Sequence, residues 1–240
     1  MGNPAERLLN ILVEGLNHKS DQPCQAVWRR LLSADGQDDA ELVARLGKVM
    51  LLPEEIGHLI KEHYPEERAD QDYWISRVTV ALKQQNLDQN WETFRKFIDG
   101  HTVSYLRMAA KLLSFTSGNG SLEQEKIAEI RESVSDLLVE VRNSNLSVSA
   151  KSFLIRSLQR IVGALDEYAI TGELPILDAI ETVYGHVVAN PTFRAEMQES
   201  DISAKLWSTL SIAASFVTVA TGVPQIASDI SGLINALPKP

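Results

Sequence analysis

The chain contains 240 residues, of which 32 are acidic and 23 basic, which gives a formal net charge of −9 at pH 7. This balance disfavours a nucleic acid as the principal partner, because phosphate binding needs a basic surface. Hydrophobic residues make up 44% of the chain, enough for a packed core, which excludes a globally disordered protein. Cys24 is the only cysteine, so an internal disulfide and a cysteine-based zinc site are both excluded.

Helix signals follow one another through the first half of the chain, whereas strand signals are scarce. Asn3 and Pro4 predict the start of a first helix, as its N-cap and first-turn proline. Asp38, with a glutamate three residues later, predicts a capping box. Pro53 predicts the start of a short separate helix, and Gly100 predicts a break within a later one.

Two regular apolar patterns follow segment 116–120, whose small polar residues predict a linker. Apolar residues step by three and four over 127–141 and again over 154–168, and Ser147 is the predicted cap of the second helix. Two such helices joined by a short polar turn predict an antiparallel hairpin with coiled-coil-like packing. Asn190, which a proline follows, predicts another helix start.

The expected fold is therefore all-α and has two parts, the second of which contains the helical hairpin and then an uncharged apolar helix. The predicted boundaries are 1–116 for an N-terminal helical domain, 121–200 for a helical-hairpin bundle and 201–240 for apolar C-terminal helices. Within the last range, a final short helix is predicted from Pro224 to about Leu237.

No charged residue occurs between Leu206 and Ser228. Apolar residues recur there at helical spacing on a broad face, and the remaining narrow stripe carries small, mostly hydroxyl-bearing residues. A helix over 203–221 would be roughly 28 Å long, close to the ~30 Å of a bilayer core. In lipid, small hydroxyl residues let helices approach closely and form hydrogen bonds. We therefore predict membrane association or self-association through the following residues: Trp207, Ser208, Leu210, Ser211, Ile212, Ser215, Phe216, Val217 and Thr218.

A helix buried inside a soluble bundle is the alternative for this segment, because short apolar runs are common in protein cores. The apolar face would then lie in the core, and the hydroxyl stripe would face solvent or a close neighbour. Trp207 lies beside Lys205 at the start of the run. A membrane-interface aromatic with a basic neighbour would occupy this place, and so would a tryptophan packed at a helix contact.

Arg95 and Lys96 precede His101 in an Arg-Lys-x-x-x-x-His pattern. This spacing is similar to the arginine-to-histidine motif of the helical HEPN ribonucleases, and the resemblance covers only these seven positions. It implies that His101 acts as acid or base on a ribose hydroxyl and that Arg95 supports the phosphate. Asp99 and Gly100 interrupt the helix that should hold both groups.

Three functions from different classes follow from these observations. The first is a non-enzymatic helical effector or adaptor that binds a protein partner and uses its apolar C-terminal helices for membrane association or self-assembly. The second is a soluble acidic inhibitor or immunity-type protein that binds a basic partner. The third is a ribonuclease that uses Arg95 and His101, as the resemblance implies.

The sequence favours the first function, because no phosphate loop, nucleophile elbow or Cys–His pair is present. We therefore expect no catalytic residue, no metal and no cofactor. The N-terminus lacks the basic region of a signal peptide, which predicts a cytoplasmic location. The expected partner is another protein or a second copy, with or without a membrane contact through 206–221.

Overall fold

The computed structural model describes residues 2–115 and 124–221, which form twelve α-helices, two short 3-10 helices and no strand. The all-α prediction is confirmed. The 3-10 helices span Pro65–Glu67 and Ala69–Gln71. The α-helices are α1 Pro4–Asn17, α2 Cys24–Leu31, α3 Asp39–His63, α4 Asp72–Gln84, α5 Glu92–Arg95, α6 Gly100–Ser114, α7 Gln124–Asn143, α8 Val148–Asp166, α9 Tyr168–Thr171, α10 Leu174–Ala189, α11 Pro191–Glu199 and α12 Ser203–Thr221.

The chain divides into two compact units. The described residues of the first are 2–115 together with 169–172, and those of the second are 124–168 and 173–221. The predicted linker at 116–120 and the predicted helix at 224–237 lie outside the described residues.

Polar side chains begin several helices where the sequence predicts them. The side-chain oxygen Oδ1 of Asn3 accepts hydrogen bonds from two backbone N–H groups of α1, both at 3.1 Å. The Asp38 carboxylate accepts one from the N–H of Glu41 at 2.8 Å. Ser147 and Asn190 cap α8 and α11 in the same way, at 3.2 and 3.0 Å. These predicted caps are confirmed, and each satisfies an N–H group that the helix itself leaves without a partner.

The prediction that Pro53 starts a separate helix is wrong, because α3 runs without interruption from Asp39 to His63. Pro53 lacks an N–H group and cannot donate to the carbonyl of Val49 one turn earlier. Val49, Leu52, Pro53 and Ile56 are nevertheless all buried in the first unit. Burial of one face of α3 on both sides of the proline offsets the missing hydrogen bond.

Tryptophan side chains dominate the core of the first unit. Trp28, Trp74 and Trp91 are fully or almost fully buried, as expected of core anchors. The Trp28 indole N–H donates to Oε1 of Gln85 at 2.5 Å, and that of Trp91 donates to the Gly15 carbonyl at 2.9 Å. The core therefore gains large apolar rings without leaving their N–H groups unsatisfied.

A buried arginine holds residues 169–172 within the first unit. Arg7 is only 6% exposed, and its Nε donates to the carbonyl of Ile170 at 2.9 Å. Its Nη1 donates to the carbonyl of Gly2 at 3.1 Å. Gly172 has φ +73°, and a Cβ at this position would lie 2.7 Å from Arg7 Nη1. Glycine is thus required there both by the backbone conformation and by the packed guanidinium.

The second unit is built on α7 and α8, which pack against each other. The helices are antiparallel, because Arg131 pairs with Asp166 at one end and Lys151 approaches the Arg142 carbonyl at the other. Helix α10 packs on α8, and α12 packs on α7 and α10. The buried apolar residues of α7 and α8 are Ile130, Val134, Leu137, Leu138, Val141, Ala150, Leu154, Leu158, Ile161, Ala164 and Leu165.

We expect Arg7→Met to lower the free energy of unfolding of the first unit by about 2–3 kcal/mol, because the buried Ile170 carbonyl loses its charged donor. Urea unfolding and hydrogen exchange of the amides around residue 170 measure this change. Arg68→Met is the matched control, since Arg68 forms an exposed ion pair with Asp72 and should change stability by at most about 0.5 kcal/mol. Equal losses in both variants would contradict the anchoring role of Arg7.

Candidate interaction surfaces

The apolar face of α12 is packed inside the second unit. Leu206, Leu210, Ala213 and Val217 are each at most 1% exposed. They face α7, α10 and α11, which are the neighbours of this helix. Leu210 and Val217 belong to the predicted association set. The structure places both in the core of the second unit.

The opposite side of α12 carries small and uncharged side chains. Ser208, Ile212 and Ser215 are exposed, Ser211 is half-buried, and Ile212 keeps 57% of its surface accessible. We term these four residues the α12 outer face. Lys205, at the N-terminal end of this face, pairs with Glu140 of α7. Beyond that pair, no charged residue occurs on α12.

Trp207 is half-buried against α10 and is not fully exposed at a helix end. Its ring stacks on that of Tyr184, with centroids 5.4 Å apart and an interplanar angle of 28°. The indole N–H donates to Oγ of Ser203 at 3.1 Å. The Tyr184 hydroxyl is buried without a hydrogen-bond partner among the described residues, and burial raises its pKa to about 12.

The remaining members of the association set have different surroundings. The ring of Phe216 is half-buried, and Nζ of Lys126 lies 5.5 Å from its centroid, within cation–π distance. The side chain of Thr218 lies outside the described residues. Across the described residues, no helix combines the length and the apolar character that crossing a bilayer requires.

Arg95 and His101 belong to different helices, because α5 ends at Arg95 and Asp99 caps α6. Nη1 of Arg95 donates to Oγ of Ser20 at 2.9 Å, and Nη2 donates to the Leu16 carbonyl at 3.4 Å. His101 is exposed in the first turn of α6. No hydrogen bond, ion pair or ring contact joins these two described side chains. The ribonuclease resemblance therefore stays a prediction.

The outward side of α6 exposes large apolar side chains that sequence analysis missed. Met108 and Phe115 are 60% and 72% exposed, and Tyr105 is also exposed. Tyr73 of α4 adds a second tyrosine, whose ring centroid lies 5.8 Å from that of Tyr105. Apolar residues spaced by three and four positions, from Tyr105 to Phe115, lie on one face of α6. We term the following residues the α6 strip: Tyr73, Tyr105, Met108, Leu112 and Phe115.

Asp99 fixes one end of this strip. Its Oδ1 accepts hydrogen bonds from the backbone N–H and the hydroxyl of Thr102, at 2.7 and 2.8 Å. Its Oδ2 accepts one from the Tyr73 hydroxyl at 2.7 Å, and Nη2 of Arg77 lies 3.8 Å away. Desolvation raises the pKa of Asp99, but these hydrogen bonds and the guanidinium outweigh it and lower the pKa to about 2.

An acidic surface lies on α7. Its four carboxylates step by three and four residues along the exposed side of the helix, opposite the apolar stripe of the hairpin. Among the described residues, the only cation within 4.0 Å of any of them is Lys126, next to Glu129. We term the following residues the α7 acidic ridge: Glu125, Glu129, Glu132 and Asp136.

No protein-family model matches this chain, and no curated protein or solved structure shows significant similarity to it. Within residues 2–115 and 124–221, no group of three or more His, Cys, Asp or Glu side chains is arranged to hold a metal ion. The function of this protein is therefore inferred from its surfaces and their chemistry.

We expect Asp99→Asn to destabilise the first unit at pH 7 by on the order of 1 kcal/mol, after allowance for screening at this part-exposed side chain. An asparagine still caps α6 but carries no charge for Arg77. Because the folded pKa is lowered from 3.8, the carboxylate stabilises fully above about pH 4 and loses its effect as the pH falls towards 2.

Urea unfolding of wild type and Asp99→Asn between pH 7 and pH 2 measures this effect. The difference between their free energies of unfolding should shrink towards zero at the acid end. A constant difference over the whole range would show that the Asp99 charge does not stabilise the contact between α4 and α6.

Proposed function

We propose that this chain is a non-enzymatic helical adaptor of the cytoplasm, which binds a protein partner and assembles with itself through the α12 outer face. One observation carries the proposal: the exposed side of α12 has no charge beyond the Lys205–Glu140 pair, in a chain with net charge −9. A solvated helix face normally carries charged side chains. Small serines around an exposed Ile212 let a second helix approach closely.

Self-assembly is better supported than membrane association for this helix. An amphipathic helix binds a bilayer through its apolar face. In α12 that face is already packed on neighbouring helices, and Leu206, Leu210 and Val217 are not accessible to lipid. The outer face offers one large apolar side chain among serines, which suits a helix contact in water better than insertion between acyl chains.

We expect Ile212→Lys to convert self-associated protein into monomer, because a symmetric contact places the same new charge on both copies. Sedimentation velocity over a range of protein concentrations measures the oligomeric state. Val188→Lys is the matched control, since Val188 on α10 is 55% exposed but lies outside the α12 outer face.

Two results would overturn this proposal. One is a wild-type protein that stays monomeric at the highest concentration reached. The other is flotation of the wild type with liposomes that Ile212→Lys abolishes, which would favour membrane association through 206–221.

The α7 acidic ridge favours a second candidate function, that of a soluble acidic inhibitor or immunity-type protein that binds a basic partner. The four carboxylates of the ridge lie on one exposed helix face, so their electrostatic attraction for a positively charged partner surface adds up. The net charge of −9 acts in the same direction and would speed the encounter at low salt.

This second function predicts salt-sensitive binding of a lysine-rich amphipathic peptide. The double variant Glu132→Lys with Asp136→Lys should weaken the affinity by about tenfold or more in fluorescence anisotropy, and added salt should weaken wild-type binding. Glu62→Lys with Glu66→Lys changes the net charge equally on exposed residues elsewhere and should have little effect. Equal losses of affinity in both double variants would show that the peptide is held by non-specific charge attraction and not by the α7 acidic ridge.

A further inference from the structure

We infer that the α6 strip is the docking site for an acidic amphipathic helix of a protein partner. The inference rests on the proposed adaptor function in one respect, that the partner is a protein, but it concerns a surface separate from the α12 outer face. Exposure of an aromatic and methionine patch is the first observation. Aromatic residues, Met and Arg are the residue types most enriched where proteins bind each other.

The dimensions of the strip suit a helix. From Tyr105 to Phe115 it covers about three turns, roughly 15 Å along the axis of α6. Met108, at its centre, has three rotatable bonds and adapts its shape to an apolar partner. Tyr73 is held in place by its hydrogen bond to Asp99, so one end of the surface is ordered before a partner arrives.

Charge decides which helix fits. Helix α6 contains Arg107 and Lys111 but no carboxylate, in a chain with a large acidic excess. Arg107 directly precedes Met108, and Lys111 directly precedes Leu112, so the two cations lie one turn apart along the same edge of the strip. Both are exposed, and neither forms an ion pair with a residue that the structure describes.

The carboxylates at the opposite edge of the strip already have partners, and that of Asp72, next to Tyr73, pairs with Arg68. Tyr73 lies there, and the nearby Asp99 carboxylate already accepts three hydrogen bonds and faces Arg77. A partner helix with leucine-type side chains on the strip and glutamates over Arg107 and Lys111 would therefore satisfy both the apolar and the charged parts of this surface.

Nucleic acid and membrane fit this surface less well. Arg107 and Lys111 are few cations for a groove that follows a phosphate backbone. The Tyr73 and Tyr105 rings are tilted by 54° and do not form a flat stacking platform. An anionic membrane would be repelled by the net charge of −9.

The test uses the full-length chain and two synthetic amphipathic helical peptides of about 15 residues with the same leucine face. One peptide carries glutamates beside that face, and the other carries lysines there. By fluorescence anisotropy, the wild type should show Met108-dependent binding that is about tenfold or more tighter for the glutamate peptide than for the lysine peptide, whose attraction to the α7 acidic ridge does not depend on Met108. Met108→Asp should abolish binding of the glutamate peptide.

Charge reversal makes the test sharper. Arg107→Glu with Lys111→Glu should invert the preference, so that the lysine peptide binds more tightly than the glutamate peptide. Lys19→Glu with Arg30→Glu, at exposed cations of the same unit, changes the net charge equally and should keep the wild-type preference. Circular dichroism confirms that each variant is folded.

Three results would overturn the inference: no preference in the wild type, no inversion in the reversed variant, or tighter Met108-dependent binding to phosphatidylserine vesicles or to single-stranded oligonucleotide than to either peptide. The reversed variant should also sediment like the wild type. If the peptides do not bind while Ile212→Lys still yields monomer, the docking inference fails and the proposed self-assembly stands.

Discussion

A single carboxylate, that of Asp99, joins the start of α6 to α4. Asp99 closes the first turn of α6 through Thr102 and receives the hydroxyl of Tyr73 from α4. Two helices with only α5 between them in sequence thus meet at one charged group. The pKa of that group falls to about 2 because the folded protein favours its ionised form. Packing of α6 on α1, α3 and α4 then sets which of its residues turn inward and which stay exposed.

Elsewhere in the first unit, buried guanidinium groups donate hydrogen bonds to backbone carbonyls. Arg45 donates to the carbonyls of Leu32 and Ser33 at 2.8 and 2.9 Å, where α2 ends and Ser33 adopts a positive φ. A cation is favourable at a helix C-terminus because the last carbonyls have no partner within the helix. Its remaining charge is balanced by Glu41, whose carboxylate accepts from Nε at 2.8 Å. Burial of this arginine is tolerated because its Nε and Nη1 donors are occupied.

Local signals in the sequence predicted local features of the fold. Short-range chemistry at Asn3, Ser147 and Asn190 was sufficient to place helix starts, because a cap involves only the next few residues. Pro53 misled the prediction because tertiary burial of α3 outweighs a local rule. The exposure of Met108 was not predicted. A helical pattern gives the spacing of apolar residues, but it does not give the width of the face that neighbouring helices cover. The contacts of Arg95 with the end of α1 depend on chain segments about 75 residues apart, which no short motif encodes.

Membership of residues 169–172 in the first unit has a consequence for biosynthesis. The hydrogen bond from Arg7 to Ile170 closes a separation of 163 residues, and Ile170 is a fully buried member of that core. A ribosome therefore synthesises residues 2–168 before the final piece of the first unit emerges. Until then, the nascent unit has a vacant core position and lacks one acceptor for a buried cation. Ordering a contact of such long range is slow because the entropy of loop closure must be overcome first.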